Sequence, residues 1–288
     1  MGIRRENRRF RKFYKQIIIF FYIISFIFAQ AEYQILTIPG NAMELSLHNG
    51  FSALKNFEKI NENSVSFLHY PSHIKSLNYS NKHYDFSLLD YGRLEDKIDN
   101  QLINHFKAYE CLIKYNLHEK INDSFRMNFS IGGMLSKIGE YSSHVLISDF
   151  NIKTKIVNTH VLLSINNLGL ILKSYTNHTI KLPVFSQLSL IKKLKNNSIH
   201  FGYDNIYNFN TDQVKHIISS QIGINSNLTL RLSNSSYRKK LLIDNYNTDF
   251  YYGMAIGLTI KKNQRSSFDI GICNLGTAGY VYGITINY

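Results

Sequence analysis

Apolar and small polar residues alternate along most of the chain, and the pattern is clearest at the C-terminal end. One face of the last segment would carry Tyr280, Tyr282, Ile284, Ile286 and Tyr288. The intervening residues would lie on the other face, because successive side chains of a strand point in opposite directions. This period of two predicts a β-strand with one apolar face and one small or polar face.

The same alternation recurs upstream, and connections rich in Asn and Ser, which suit tight turns, separate the segments. Gly257, Gly271 and Gly283 all fall on the polar face of their segments. About fourteen strands are expected, near residues 64–70, 74–80, 83–92, 104–115, 124–136, 142–153, 157–166, 185–193, 198–205, 213–224, 226–236, 248–261, 265–274 and 278–288.

The composition of the polar face distinguishes a membrane barrel from a soluble sandwich. A water-facing sheet is usually rich in Lys and Glu, whereas here Gly, Ser, Asn and Thr dominate, and such small residues suit a crowded interior. The last strand, tilted by about 40°, would span roughly 20 Å of the membrane. Residues 64–288 are therefore expected to form an all-β fold, a transmembrane antiparallel up-and-down β-barrel of about 14 strands. A secreted soluble β-protein is the alternative.

The N-terminal residues have the three parts of a secretory signal peptide. A basic stretch, 4–15, precedes an uncharged apolar run, 17–28, and Ala29 and Ala31 mark a cleavage site after residue 31. A membrane anchor is the alternative, but a spanning helix needs about 20 apolar residues. Cleavage would remove +6 of the formal net charge of +13. The expected location is the bacterial outer membrane, after export through the inner membrane.

Two further features fit a barrel of this kind. Residues 32–63 lack clean alternation, and we expect them to form an N-terminal segment that plugs or caps the barrel. The alternating apolar residues that end in the aromatic Tyr288 resemble the C-terminal signal that the outer-membrane barrel assembly machinery recognises. Outer-membrane lipid and that machinery are therefore expected partners.

Three short stretches carry a resemblance to the PorV/PorQ family of outer-membrane proteins. The central stretch is similar to the PorQ group in particular. The stretches are Ile35-Leu36 followed by Pro39, Ala42, Leu45, Leu47 and Gly50; then Tyr70-Pro71-Ser72; and, in the centre, Asn166-Asn167-Leu168-Gly169, Leu172-Lys173-Ser174-Tyr175 and Leu182-Pro183.

The resemblance implies a barrel similar to those of long-chain fatty-acid transporters, working in the type IX secretion system. It also implies protein partners, PorV, PorU and PorZ-like components, in the surface assembly that receives secreted cargo and attaches it to the cell.

The chain lacks the motifs of the common enzymes. It contains no G-x-S-x-G, no H-E-x-x-H, no phosphate loop and no dinucleotide fingerprint. Cys111 and Cys273 are the only cysteines and form no zinc-binding spacing. The remaining +7 is scattered without a basic helix. We therefore expect no catalytic residues, no metal, no cofactor and no nucleic-acid partner.

Four charged residues are expected on the inner faces of strands, namely Arg126, Arg231, Lys261 and Asp269. They would neutralise one another, because unpaired charge is costly there, or they would line a solute path. Two functions remain open: a non-enzymatic component of the secretion and cell-surface attachment machinery, and a channel or transporter for hydrophobic solutes.

Overall fold

The computed structural model describes residues 33–50, 63–98, 101–122, 124–176, 181–194, 198–236, 251–263 and 266–288, with backbone alone for 96–98 and 101–104. This part of the chain contains fourteen strands: β1 (Ser64–His69), β2 (Lys75–Ser80), β3 (Tyr84–Ile98), β4 (Gln101–Lys120), β5 (Phe125–Ile138), β6 (Tyr141–Ile156), β7 (Thr159–Lys173), β8 (Phe185–Lys193), β9 (Ile199–Asn208), β10 (Gln213–Gly223), β11 (Leu228–Ser235), β12 (Met254–Lys261), β13 (Ser267–Asn274) and β14 (Tyr280–Asn287).

The strands form one closed antiparallel barrel. Each strand pairs with its neighbours in chain order, and β1 closes the ring against β14 with Phe67 opposite Ile284. Closure leaves no sheet edge along the ring, which satisfies the requirement that backbone groups be paired where water is absent. The expected fold class, a barrel of about 14 strands, is confirmed.

The outer face of the barrel carries the apolar rows. In β14, Tyr280, Tyr282, Ile284 and Ile286 are 45–52% exposed, and the residues between them are buried. No second sheet covers these rows among the described residues, since all fourteen strands belong to the one barrel. This exposure is the opposite of what a soluble sandwich requires and fits a surface in contact with lipid.

Some strands differ in length from the sequence-based expectation. β7 continues to Lys173, because a bulge at Asn167, where φ is 60°, shifts the register and breaks the alternation without ending the strand. β4 is 20 residues long. β3 and β4 stay paired as far as Ile98 and Gln101, whereas the pairing of β3 with β2 reaches only Asp90. β12 starts only at Met254, because Gly253 ends a turn with φ of 70°.

Residues 33–50 lie inside the barrel and are called the luminal segment below. They form a short 3-10 helix, Gln34–Leu36, and the helix α1, Ala42–Ser46. The 3-10 helix contacts β3 and β4, and α1 contacts β1 and β11–β14 on the other side of the ring. The described helices are all too short, or too polar, to cross a membrane.

The two ends of the barrel differ in their connections. β1 begins and β14 ends at the same end, called the terminal end, where the connections include the short turns 81–83 and 157–158. The other end, called the loop end, carries the long connections 174–184 and 236–253.

Candidate functional site

The inner face of the barrel is built from small polar side chains. Alternation turns them inward, and most are buried because the luminal segment fills the space between the walls. The buried set includes Ser66, Ser76, Asn78, Ser130, Ser136, Ser143, Ser164, Ser233, Ser235, Thr259 and Thr285. The interior therefore offers many hydrogen-bonding groups at close range.

A trough of glycines receives helix α1. Gly257, Gly271 and Gly283 lie opposite one another on β12, β13 and β14. A Cβ atom at Gly271 would collide with the backbone carbonyl of Ala42, and one at Gly257 would collide with the Ser46 side chain. The absence of side chains lets the helix lie directly on the strands.

Hydrogen bonds fix both ends of α1. Asn41 caps the helix by accepting a hydrogen bond from the Glu44 backbone N–H at 2.8 Å. The Ala42 backbone N–H donates to Thr285 Oγ1 at 2.9 Å, and Ser233 Oγ donates to the Ser46 carbonyl at 2.9 Å. Groups that a short helix leaves unpaired are thus satisfied by the barrel wall.

Three leucines of the luminal segment pack against three different parts of the wall. Leu36 lies in a cluster with Leu112 and Val145, Leu45 contacts β1 and β12–β14 residues such as Leu68 and Val281, and Leu47 packs on Leu162 and Ile191. All three are buried. Burying one such side chain contributes about 1.5–3 kcal/mol, so apolar contacts anchor the segment around the ring.

The wall formed by β4–β7 adds directional polar contacts. Glu110 on β4 accepts a hydrogen bond from the Ile35 backbone N–H at 2.8 Å, and Tyr33 OH lies 2.6 Å from Ser143 Oγ. Asn167 donates from Nδ2 to the carbonyls of Leu36, at 3.1 Å, and Pro183, at 3.0 Å. Asn167 therefore joins the luminal segment to the long connection that precedes β8.

A second network supports the bulge that holds Asn167. Asp149 accepts hydrogen bonds from the Asn167 backbone N–H at 2.8 Å and from Ser130 Oγ at 2.8 Å. Lys114 Nζ lies 2.6 Å from the same carboxylate and supplies its counter-charge. The Asp149–Lys114 ion pair thus stabilises the left-handed backbone conformation of Asn167.

The last residues of the luminal segment reach the opposite wall. His48 Nε2 lies 2.8 Å from the Gly253 carbonyl, and its Nδ1 lies 3.8 Å from Cys273 Sγ. Lys215 Nζ donates to the His48 carbonyl at 3.2 Å. Burial, and secondarily the Lys215 charge, lowers the pKa of His48 to about 3, so the imidazole is neutral at physiological pH.

A cavity of about 390 Å³ separates the luminal segment from the terminal end of the barrel. Its lining is mostly amide, hydroxyl and charged side chains, among them Asn78, Asn116, Asn128, Lys114 and Asp85. In the part of the chain that the structure describes, no three His, Cys, Asp or Glu side chains come close enough to hold a metal ion.

Two of the four expected inner charges come together. Arg231 and Asp269 form a buried ion pair with 3.2 Å between Nη1 and Oδ1, and Asn287 also donates to Asp269 at 2.7 Å. Arg126 lies half-buried near the start of β5, and Lys261 is exposed at the terminal end of β12. That the four residues line a solute path stays a prediction.

The remaining expected site residues lie elsewhere. The apolar residues of the expected C-terminal assembly signal, including the exposed Tyr288, face outward. Ala29 and Ala31 lie outside the described residues. Sequence reasoning did not single out Glu110, Thr285 or Ser233, because nothing in an alternating strand shows which inner residue will meet the luminal segment.

Comparisons with known proteins support the fold. No family model and no curated protein sequence matches the chain. Among solved structures, the toluene transporter TbuX of Ralstonia pickettii shares 7% identity at a TM-score of 0.51, with 88% of this chain and 97% of that chain covered. A FadL homologue of Pseudomonas aeruginosa shares 8% identity at a TM-score of 0.48, with 87% and 98% covered. The likeness to TbuX shows that the chain has the fold of a bacterial outer-membrane β-barrel.

Proposed function

We propose that the protein is a plugged outer-membrane barrel that acts through its surfaces, as a non-enzymatic component of the type IX secretion and cell-surface attachment machinery. In this proposal the luminal segment is the plug, and residues 1–31 are a signal peptide cleaved after Ala31. PorV-, PorU- and PorZ-like proteins are the proposed partners. Arg231 and Asp269 then serve to neutralise each other within the wall.

One observation carries the proposal: several residues of the PorV/PorQ-like motif meet inside the barrel. Ala42, Leu45 and Leu47 are at most 2% exposed and pack against the wall, and Gly50 lies against Asp204 and Ile217. These four members of the motif share one packing role, which supports a common architecture with the family.

The central part of the motif makes the matching contacts from the other side. Asn167 binds the carbonyls of Leu36 and Pro183, Leu182 belongs to the same apolar cluster as Leu36, and the Tyr175 ring lies 6.2 Å from that of Tyr33. The early and central stretches are therefore parts of one structural unit. This supports a relationship to the PorV/PorQ family.

The orientation follows from the connections. Bacterial outer-membrane barrels have short periplasmic turns and longer extracellular loops. We therefore assign the terminal end to the periplasm and the loop end, with 174–184 and 236–253, to the cell surface. The loop end is then the surface that would meet secreted cargo and the attachment machinery.

A secretome comparison tests the proposal. Surface and medium proteins of the parent strain, a gene-deletion strain and a complemented strain would be quantified by mass spectrometry. The proposal expects secreted cargo to be retained in the periplasm of the deletion strain and delivered again on complementation. A secretome that does not change on deletion would remove the proposal.

A second candidate is transport of hydrophobic solutes, and the shared fold with a toluene transporter favours it. The polar lining of the 390 Å³ cavity argues against it, because sites for apolar ligands are lined mainly by apolar side chains. The same three strains distinguish the two functions: slower uptake of labelled toluene or a long-chain fatty acid in the deletion strain, with a normal secretome, would favour transport.

A further inference from the structure

Two lysines lie close together on the outer face of the barrel, near its loop end. Lys137 on β5 is opposite Ser142 on β6, and Lys173 on β7 is opposite His144, also on β6. Lys173 Nζ donates a hydrogen bond to Ser142 Oγ at 2.9 Å. Ser142 points outward, because the next residue, Ser143, is buried on the inner face. Ser142 therefore lies between the two lysines.

The two ammonium groups form a positively charged patch. Both lysine side chains and His144 are exposed. Within the part of the chain that the structure describes, neither lysine has an acidic partner, and Glu140, in the turn between β5 and β6, forms no ion pair with them. The patch is therefore open to an anion that approaches from outside the barrel.

The apolar outer surface begins next to this patch. After His144, the next outward residue of β6 towards the terminal end is Leu146, and its partner on β7 is Leu170. Leu146, Leu170 and Leu172 are all exposed. Outward apolar residues of a membrane barrel contact acyl chains, so the two lysines lie where the lipid headgroups begin.

The chemistry of the patch fits one class of ligand. An ammonium group binds phosphate as a point charge, and a hydroxyl can add a hydrogen bond. A free anion would use only these polar groups, whereas a phosphorylated lipid would also cover the adjacent leucines. Basic residues at a membrane surface attract anionic headgroups in the same way.

We propose that Lys137 and Lys173, with Ser142 between them, bind the headgroup phosphate of a membrane lipid. This site goes beyond the proposed role in secretion and does not depend on it. Under the proposed orientation, the bound lipid lies in the outer leaflet.

Lipid titration of the detergent-purified protein, followed by native mass spectrometry, tests the site. The probes are a bisphosphorylated lipid A, the same lipid after removal of its phosphates, and inorganic phosphate. We expect the parent protein to prefer the phosphorylated lipid. Lys137→Gln/Lys173→Gln should bind that lipid about tenfold or more weakly. Lys137→Arg/Lys173→Arg should bind it like the parent, because arginine keeps the charge.

Lys192→Gln/Lys193→Gln is the matched control, because these exposed lysines lie at the terminal end of β8. The control loses the same charge and should bind the lipid like the parent. The heat-dependent gel shift of barrels confirms that each variant is folded. The inference would be overturned by an unchanged affinity in Lys137→Gln/Lys173→Gln, by an equal loss in the control, or by equal binding of the phosphate-free lipid. Inorganic phosphate that binds as tightly as the lipid would also overturn it.

Discussion

Two walls of the barrel hold the luminal segment in different ways. On β12–β14, glycines let α1 lie against the backbone, and the contact depends on the absence of side chains. On β4–β7, Glu110, Ser143 and Asn167 make directional hydrogen bonds within a larger apolar cluster. The first wall fixes the segment mainly by shape, with hydrogen bonds at the two ends of α1, and the second mainly by specific groups.

The difference indicates how far each wall tolerates substitution. Adding one carbon at Gly271 creates a clash with the Ala42 backbone, which cannot move aside easily. Removing one group from the polar wall leaves its neighbours in place and costs only that interaction and its desolvation. Substitutions on the two walls should therefore differ in size, and hydrogen exchange of the luminal segment can measure both.

The largest effect is expected for Gly271→Val. Its side chain would meet the Ala42 carbonyl, so α1 must leave the trough, at a cost of about 3 kcal/mol or more. Exchange of the Ala42 backbone N–H should accelerate more than a hundredfold. Gly133→Val is the control, because nothing lies within 4 Å of a Cβ there. Equal behaviour of the two variants would refute the trough.

Asn167→Ala should have the next largest effect. The variant loses two hydrogen bonds to buried carbonyls and places Ala at a φ of 60°, which together cost about 2–3 kcal/mol. Thermal unfolding and exchange of the Ile35 N–H would both report the loss. Asn166→Ala removes only a contact with Ser164 and should change little; a similar loss in that control would contradict the role of Asn167.

Acidification should weaken the attachment of the His48 end. The folded-state pKa of about 3 lies below the ordinary 6.5, so a released segment binds a proton more readily than a seated one. The contribution of His48 to the free energy of unfolding is fully present above pH 6.5. It decreases as the pH drops from 6.5 towards 3, by at most about 1.4 kcal/mol per pH unit. Stability profiles of the parent and His48→Gln should diverge in that window; parallel profiles would exclude His48 as the cause.

Ser233→Ala should have the smallest effect. It removes one hydrogen bond, from Ser233 Oγ to the Ser46 carbonyl, which is worth about 1 kcal/mol. Exchange in α1 should accelerate about fivefold. Ser220→Ala, on the outward side of β10, should leave that exchange unchanged. An effect as large as that of Gly271→Val would mean that the hydrogen bond, and not shape, controls the glycine wall.

The sequence predicts the barrel well because its signal is local. Alternation such as that of Tyr280 to Tyr288 sets the two faces of each strand, and turn residues separate the strands. The signal fails where the backbone departs from regular geometry. The bulge at Asn167 hides the second half of β7, and the charged β3–β4 extension has no clean apolar face.

The site is less predictable because it depends on contacts around a ring. Arg231 can pair with Asp269 because β11 and β13 lie two strands apart. The up-and-down order of the strands already implies this spacing. The meeting of Asn167 with Leu36, or of Thr285 with Ala42, depends on the path of a segment that has no regular period. The alternation in the sequence shows that the strand residues lie on the inner face, but it does not show which residues of the luminal segment they contact.

The central claim is that the luminal segment closes the barrel, and planar-bilayer conductance tests it most directly. The mature chain and a chain lacking residues 33–50 would be compared, after the heat-dependent gel shift shows that both are folded. The account predicts no steady conductance for the mature chain and a steady open pore for the shortened one. An equal steady conductance in both proteins would contradict it.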